Sequence, residues 1–409
     1  MIERRRYADG LATLAEGRAV PARVAEWAAE HGLPTLGWAR EYGRFRPGRS
    51  PWAVLAYAHP AGLAVRVDVY SARAERPTTR LRPSGGRAAD RFVRFAGPRD
   101  GQSGSELLIE VSPAAADPAL PGLGPVLAEL TEGHIVRYRP GKRCTLRGQT
   151  TSGPRFVKVA PGGAAVMADA ALLWGVRSAL PFAVAEPHGW DEQTNSAWYG
   201  VVPGRPIAHD VLGCNGAAVA VRLAAALAAL ARAAIAPSRT EGPCEQLARS
   251  RRAAGRAAAA VPDLRKPLRA ILADLERAHA GLRPRPLMPV HGAPHMHQWL
   301  DHGIKDGSRR LGLIDFDRLA LGEPELDLAT FLAELDAEPS RQVSMIDIEA
   351  AAVAGFEDNG VPLDPARLAL YRAHKRLAKV ARAACSLRPD GGDRALRHLG
   401  SVEAALARS

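Results

Sequence analysis

The stretch VHGAPHMHQWLDHGIKDGSRRLGLIDFDRLALGEPELDLATF, from Val290 to Phe331, decides how the rest of the chain is read. Two short apolar runs of strand character, Gln298 to Leu300 and Leu311 to Ile314, lie inside it, with polar residues of catalytic type at fixed spacing around them. Asp315 directly follows the second run and precedes a turn, so the pattern presents a carboxylate at a strand end. Beyond Gly322-Glu323-Pro324, apolar positions at helical spacing predict a helix from Leu326 to Leu335. His291, His295 and His297 lack a fourth ligand at zinc-like spacing, and the cluster predicts no zinc site.

Outward from this stretch the two halves of the chain differ. From Asn215 onward the periodicity is helical, with helices predicted at Ala217 to Ala236, Cys244 to Ala260, Leu264 to Ala280, Met345 to Asn359, Pro365 to Cys385 and Asp393 to Ala407. Upstream, strands dominate. Val136 to Pro161 reads as a hairpin around Pro140-Gly141, followed by a helix over Ala164 to Leu180 and strands at Ala183 to Glu186 and Ser196 to Val202. A hairpin of the same design begins near Phe45, with the strands separated by His59-Pro60-Ala61-Gly62. Phe45-Arg46-Pro47-Gly48-Arg49 matches Tyr138-Arg139-Pro140-Gly141-Lys142, and Ala64-Val65-Arg66-Val67 resembles Phe156-Val157-Lys158-Val159. This similarity predicts a duplicated β-hairpin unit, the alternative being chance likeness of two Arg-rich hairpins. A helix is expected within residues 11–31, an exposed loop from Arg73 to Asp100, a strand from Glu106 to Ser112 and a short helix from Val126 to Glu132. The resulting division is an N-terminal α/β extension over 1–125, a β-rich lobe over 126–205 and a helical lobe over 206–409, a two-lobed α+β arrangement.

Composition narrows the functional classes. With 55 Lys and Arg against 43 Asp and Glu, the net charge of +12 suits an anionic partner, a nucleotide or an acidic peptide. Aromatic residues make up only 5% and no block of five or six like charges occurs, which argues against a nucleic-acid surface. The four cysteines are scattered without a CxxC, as expected of buried free thiols in a reducing compartment. No apolar run is long enough to span a membrane, so a cytoplasmic, soluble protein is expected.

His291-Gly292 and Ile314-Asp315-Phe316-Asp317 carry a resemblance to the aminoglycoside phosphotransferase and choline kinase-like family. That family's loop reads roughly HGDLHPGN, its metal segment IDFG or IDFD, and its next helix start GDPxxDLA; here the strings are HGAPHMHQ, IDFD and GEPELDLA. The similarity spans about residues 130 to 390 and is specific from 290 to 331. It implies a protein-kinase-like fold and phosphoryl transfer from ATP or GTP, with Mg²⁺, to a hydroxyl of a small molecule or peptide. By this resemblance Asp315 is the metal ligand, Gln298 stands where the family keeps an Asn ligand, and Lys158, alternating with Val157 and Val159, meets the nucleotide phosphates. Asp169, the only acid in the following helix, is the expected partner of that lysine. His291 braces the loop and Asp327 buttresses it. Acids in Cys244 to Ala260 and Glu323 to Glu338 read either as the lining of a site for a cationic acceptor or as ordinary helix-face charge.

The departure from the family is Ala293, where a carboxylate would orient the acceptor hydroxyl or take its proton; a general base contributes about 10²–10⁴ in rate. Three readings follow: a non-catalytic pseudokinase that binds nucleotide or peptide, an enzyme whose base comes from elsewhere, with Asp317 the nearest substitute in sequence, or an Asp-to-Ala variant.

Overall fold

The structure is a computed structural model and describes residues 17–47, 52–71, 93–95, 107–305, 308–336, 338, 342, 344–388 and 390–407. Residues 11–16 of the first expected helix, the turn at Gly48-Arg49 and most of the loop expected from Arg73 to Asp100 lie outside them.

The chain opens with α1 (Ala19–Glu30), which turns Val20, Val24, Trp27 and Ala28 inward. It ends at Gly32 (φ 66°), with the Leu33 amide returning to the Ala28 carbonyl at 2.8 Å, the backbone closure that a left-handed glycine permits. Strands β1 (Ala39–Arg46), β2 (Trp52–Ala58), β3 (Ala64–Ser71), β4 (Val93–Phe95) and β5 (Leu107–Pro113) form one antiparallel sheet in the order β1-β2-β3-β5-β4. Helix α2 (Leu123–Glu129) leads into a second sheet. Its strands are β6 (Thr131–Arg139), β7 (Arg143–Thr150) and β8 (Gly153–Val159), then, after helix α3 (Gly163–Gly175) and the short β9 (Phe182–Ala183), β10 (Pro187–Asp191) and β11 (Ser196–Gly200). The order is β6-β7-β8-β11-β10, the same pattern as in the first sheet.

The helical lobe follows: β12 (Arg205–Pro206), α4 (Ala208–Leu212), α5 (Gly216–Ala231), α6 (Pro243–Ala260), α7 (Arg265–Ala280), β13 (Met288–Val290), β14 (Trp299–Lys305), β15 (Ser308–Leu313), β16 (Ala320–Gly322), α8 (Glu325–Leu335), α9 (Met345–Glu357), α10 (Pro365–Ala384) and α11 (Gly391–Leu406). Start signals match the chemistry. Pro243 opens α6, and Asp364 caps α10 by accepting the Ala366 amide at 2.9 Å with Pro365 next in line. The β-rich lobe followed by a helical lobe is the expected kinase-like α+β fold.

Burial organises these layers. Val157 and Val159, both 0% exposed, face a core shared with Tyr138, Leu146, Leu123 and Val126, and with Ala56 and Ala64 of the first sheet. The other face of the first sheet, Leu55, Val65, Val67 and Val69, joins one cluster with α1 and with residues of α6, α7, α10 and α11. Each such fully buried branched side chain contributes about 1.5–3 kcal/mol. The first sheet is thereby packed against both lobes.

Two close approaches hold it there. The Gly62 turn (φ 80°) gives its carbonyl to the Ile135 amide at 3.0 Å, and a Cβ at Gly62 would stand 2.2 Å from the His134 Cβ. Asp117, 1% exposed, accepts from Arg66 Nη1 (2.9 Å), Tyr138 Oη (2.7 Å), the Gly141 amide (2.7 Å) and the Ala119 amide (3.0 Å).

Some local expectations shift. Of the strand expected from Ala183 to Glu186 only Ala183 lies in a ladder: β9 ends there, paired in parallel with β15, and β10 begins at Pro187 and pairs with β11. Gln298 is not in a strand but closes a turn of 3₁₀ helix, because its side chain caps the His295 amide. Cys144 and Cys385 are buried as expected, whereas the free thiols of Cys214 and Cys244 are exposed. Among the described residues, no helix is long and apolar enough to cross a membrane.

Candidate active site

The loop after β13 is fixed from two sides. Strand β13 pairs with β16, Val290 opposite Ala320, so the chain leaves the pair at His291. Asp327, in the first turn of α8, accepts the His291 amide at 2.7 Å and the Gly292 amide at 2.8 Å, and both His291 and Asp327 are buried. Burial pushes the Asp327 carboxyl up to about 6 despite those two bonds. The His291 ring reaches the Ile314 carbonyl through Nε2 at 3.1 Å, which places the proton there and leaves Nδ1 to accept the Ala293 amide at 3.4 Å. Burial lowers this imidazole to about 4, so it is neutral. Gly292 adopts φ 78°, and a Cβ there would come within 2.3 Å of the Arg318 carbonyl oxygen. The loop is thus tied to α8 through Asp327 and to the β15 exit through His291.

Asp315 stands at that exit in the left-handed region (φ 69°), a conformation Asp tolerates better than most residues. Lys158 Nζ crosses from β8 to meet Asp315 Oδ1 and Asp317 Oδ1, each at 2.5 Å. Arg143, the first residue of β7, donates to Asp317 Oδ2 at 2.7 Å and lies 3.8 Å from Asp315 Oδ2. Burial would raise the Asp315 carboxyl, but Lys158 and Arg143 outweigh it and hold the group well below the usual carboxylate range. Burial likewise opposes the Lys158 charge, and Asp317 and Asp315 overcome it, raising the ammonium above its usual value. Lys158 faces the α3 side of its sheet, beside Ala197 and 5.6 Å from the Tyr199 ring.

Two expected residues are placed differently. Asp169 is 1% exposed on α3, but its carboxylate accepts the Ser238 amide (2.9 Å) and hydroxyl (3.1 Å), while Lys158 takes its acids from the helical lobe. Gln298 turns its amide nitrogen to Asp315 Oδ2 (2.9 Å) and its oxygen to the His295 amide (2.7 Å), supporting the carboxylate from behind.

Ala293, 6% exposed, forms the floor of a separate cavity of about 330 Å³ bounded by α6, α8 and α10. Asp317 does not line this cavity; among the described residues the one carboxylate that does, Glu334, lies against His295. The acids weighed as lining for a cationic acceptor are used internally. Glu323 pairs with Arg367 and accepts the Tyr371 hydroxyl at 2.8 Å, and Glu325 pairs with Arg285.

Sequence reasoning missed Arg143, although polar Arg143, Thr145 and Arg147 alternate with buried Cys144 and Leu146, which puts Arg143 on the Lys158 face. It also missed Arg239, whose guanidinium holds the Asp317 carbonyl and for which no local signal exists.

The donor set in the cleft is hard oxygen. Asp315 and Asp317 converge with their charge already matched by cations, which suits Mg²⁺, an ion that takes one or two carboxylates and completes its shell with phosphate and water.

The family model described as the phosphotransferase enzyme family, APH, matches residues 145–371, more than half of the chain. No curated protein matches by sequence. Solved structures with a similar fold include choline kinase LicA from Streptococcus pneumoniae, with 14% identity and a TM-score of 0.49 over 69% of this chain and 96% of that one. Aminoglycoside phosphotransferase APH(3'')-Id from Streptomyces rimosus gives 18% identity and 0.44 over 61% and 94%. Spectinomycin phosphotransferase APH(9)-Ia, solved with ADP and spectinomycin, gives 12% identity and 0.47 over 68% and 93%. With its family segment spanning Lys158, the loop at Ala293 and Asp315, the chain belongs to the phosphotransferase enzyme family.

Proposed function

We propose that the chain binds ATP or GTP with Mg²⁺ between the β6–β11 sheet and the helical lobe and transfers the terminal phosphoryl group to a hydroxyl of a small molecule or peptide, slowly because of Ala293. The observation that carries this reading is the Lys158, Arg143, Asp315 and Asp317 cluster, two cations from one lobe meeting two carboxylates from the other. Lys158 and Arg143 neutralise phosphate charge, while Asp315, assisted by Asp317 and steadied by Gln298, holds the metal. Held there, Mg²⁺ would supply neutralisation of phosphate charge. The acceptor oxygen forms the new P–O bond as the bond to the nucleoside diphosphate breaks. In a loose transition state the acceptor proton leaves late, so solvent can take it without a carboxylate at 293, at a cost of about 10²–10⁴ in rate.

A second reading, a nucleotide- or peptide-binding protein without turnover, is favoured by Ala293 itself and by the engagement of Glu334 with His295. We also infer that residues 1–125 carry a duplicate of the β-rich lobe's sheet, since the two sheets share strand order.

The test is calorimetric titration with ATP and Mg²⁺ of this chain and of Asp315→Asn, together with nucleoside diphosphate release. Binding that weakens at least about tenfold in the variant supports the nucleotide site. If neither nucleotide binds, the phosphotransferase reading fails. Binding without turnover, in this chain and after Ala293→Asp alike, replaces it with the second reading.

A further inference from the structure

The cavity above Ala293 is cationic. Helix α6 sends Arg249, Arg252 and Arg256 to it at spacings of three and four, and α10 sends Lys375, Lys379 and Arg382 at spacings of four and three, so each trio occupies one helical face. Arg249 is paired with Glu241. Among the described residues the other five, and Arg318 beside them, form no salt bridge, although Asp327 and Glu241 lie near Lys375, and Glu334, Asp336 and Glu338 near Lys379.

Positive charge continues beyond the cavity mouth onto other parts of the fold. Strand β1 is seated on the end of α10: the Phe45 amide donates to the Cys385 carbonyl at 2.9 Å and Arg44 Nη1 to the Arg382 carbonyl at 3.1 Å. Arg44 and Arg46 therefore stand beside Arg382. The β6–β7 turn adds Arg139 and Lys142, joined through the Lys142 amide and the Arg139 carbonyl at 3.0 Å. The closeness of these groups shows in their acidity. Lys142 is lowered first by burial and then by Arg46, Arg139, Arg44 and Arg256, and Arg139 falls to about 10 through burial, Arg137, Arg143 and Arg382. Concentrating like charge in this way costs stability, and an anionic ligand offsets that cost.

We propose that this cavity and ridge bind an acidic peptide as the phosphoryl acceptor, with its hydroxyl side chain entering over Ala293 and its flanking carboxylates on the ridge of Arg382, Arg44, Arg46 and Lys142. The choice of acceptor rests on the phosphotransferase reading; the binding surface does not. The cavity has the size of a side chain or small metabolite, whereas the ridge extends across three elements distant in sequence and calls for an elongated polyanion. Nucleic acid fits less well, because it needs exposed rings for stacking, and Tyr42, the aromatic residue of this rim, is already covered by the Arg44 guanidinium at 5.7 Å.

Fluorescence polarisation on the full chain tests this, using a labelled peptide with one serine among Asp and Glu, a control with Asn and Gln in their places, and a phosphorylated sugar and a single-stranded oligonucleotide as competitors. The acidic peptide is expected to bind at least about tenfold more tightly than the control and to weaken as salt rises from about 50 to about 300 mM. Arg256→Glu combined with Arg382→Glu, both exposed positions, is expected to lower peptide affinity at least about tenfold with an unchanged melting temperature and ATP affinity. Equal affinity for both peptides, preference for the oligonucleotide or the sugar phosphate, or indifference to the double variant overturns the proposal. Nucleotide binding without peptide selectivity sinks this inference alone, and peptide selectivity without nucleotide binding sinks the phosphotransferase reading alone.

Discussion

Replacing Asp327 by alanine takes away the acceptor of two backbone donors, the His291 and Gly292 amides at 2.7 and 2.8 Å. His291 is 0% exposed and Asp327 2%, so water cannot substitute without opening the loop. Each stranded donor costs about 1–3 kcal/mol, and Asp327→Ala is expected to lose about 2–6 kcal/mol. Asp327→Asn keeps the shape and one acceptor oxygen, which halves the expected loss to about 1–3 kcal/mol. The two proteins also differ in pH dependence. The native carboxyl titrates near 6, above its unfolded value, so the native state holds this proton more tightly. The resulting stabilisation is complete below about pH 4 and is lost as pH rises through about 6, a change on the order of 3 kcal/mol. Because asparagine cannot titrate, its deficit against the parent narrows over that interval. Urea unfolding at about pH 5 and about pH 7 measures both effects. An alanine variant within about 0.5 kcal/mol of the parent, or an asparagine deficit that widens with pH, refutes the argument that a buried carboxylate tethers the loop.

Ala293→Asp is expected to raise kcat by about 10²–10⁴ in a nucleoside diphosphate release assay, and unchanged kcat with intact nucleotide affinity excludes position 293 as the seat of the lost base. Lys158→Met leaves Arg143 as the cation facing Asp315 and Asp317 and is expected to weaken ATP binding at least about tenfold by calorimetry; unaltered binding removes Lys158 from the nucleotide site. Asp117→Ala breaks the pairing of the two sheets with Arg66 and is expected to cost about 3–5 kcal/mol in denaturant unfolding, and a loss under about 1 kcal/mol refutes its bridging role.

The helical lobe was legible to within a few residues because long amphipathic periods average out local ambiguity. Pro365 to Cys385 was expected, and α10 is Pro365–Ala384. Short elements escaped: α4 has five residues and β12 two, fewer than one period of any pattern. Asp315, His291 and Asp327 were legible as site candidates because their neighbours lie within the 290–331 stretch. The partner of Lys158 was not, since local order pointed to Asp169 on the next helix while folding brings Asp315 and Asp317 from more than 150 positions away. The cationic cavity was half visible. Arg249, Arg252, Arg256 and Lys375, Lys379, Arg382 declare two positive helix faces in the sequence, but that the faces converge over Ala293 is a property of packing alone.

The first sheet bears on motion as well as on recognition. It is bonded to the β-rich lobe through the Gly62 carbonyl and through Asp117, which joins Arg66 to the Tyr138 hydroxyl and the Gly141 amide, and to the helical lobe through the Phe45 amide and Arg44. In a two-lobed fold the cleft breathes by swinging one lobe about its connecting segment. Here such a swing must shear one of those two sets of contacts or bend the sheet between them, so the sheet acts as a strut that limits the amplitude of the hinge. Cleft opening is then governed by a part of the chain that contributes no residue to the Lys158, Arg143, Asp315 and Asp317 cluster.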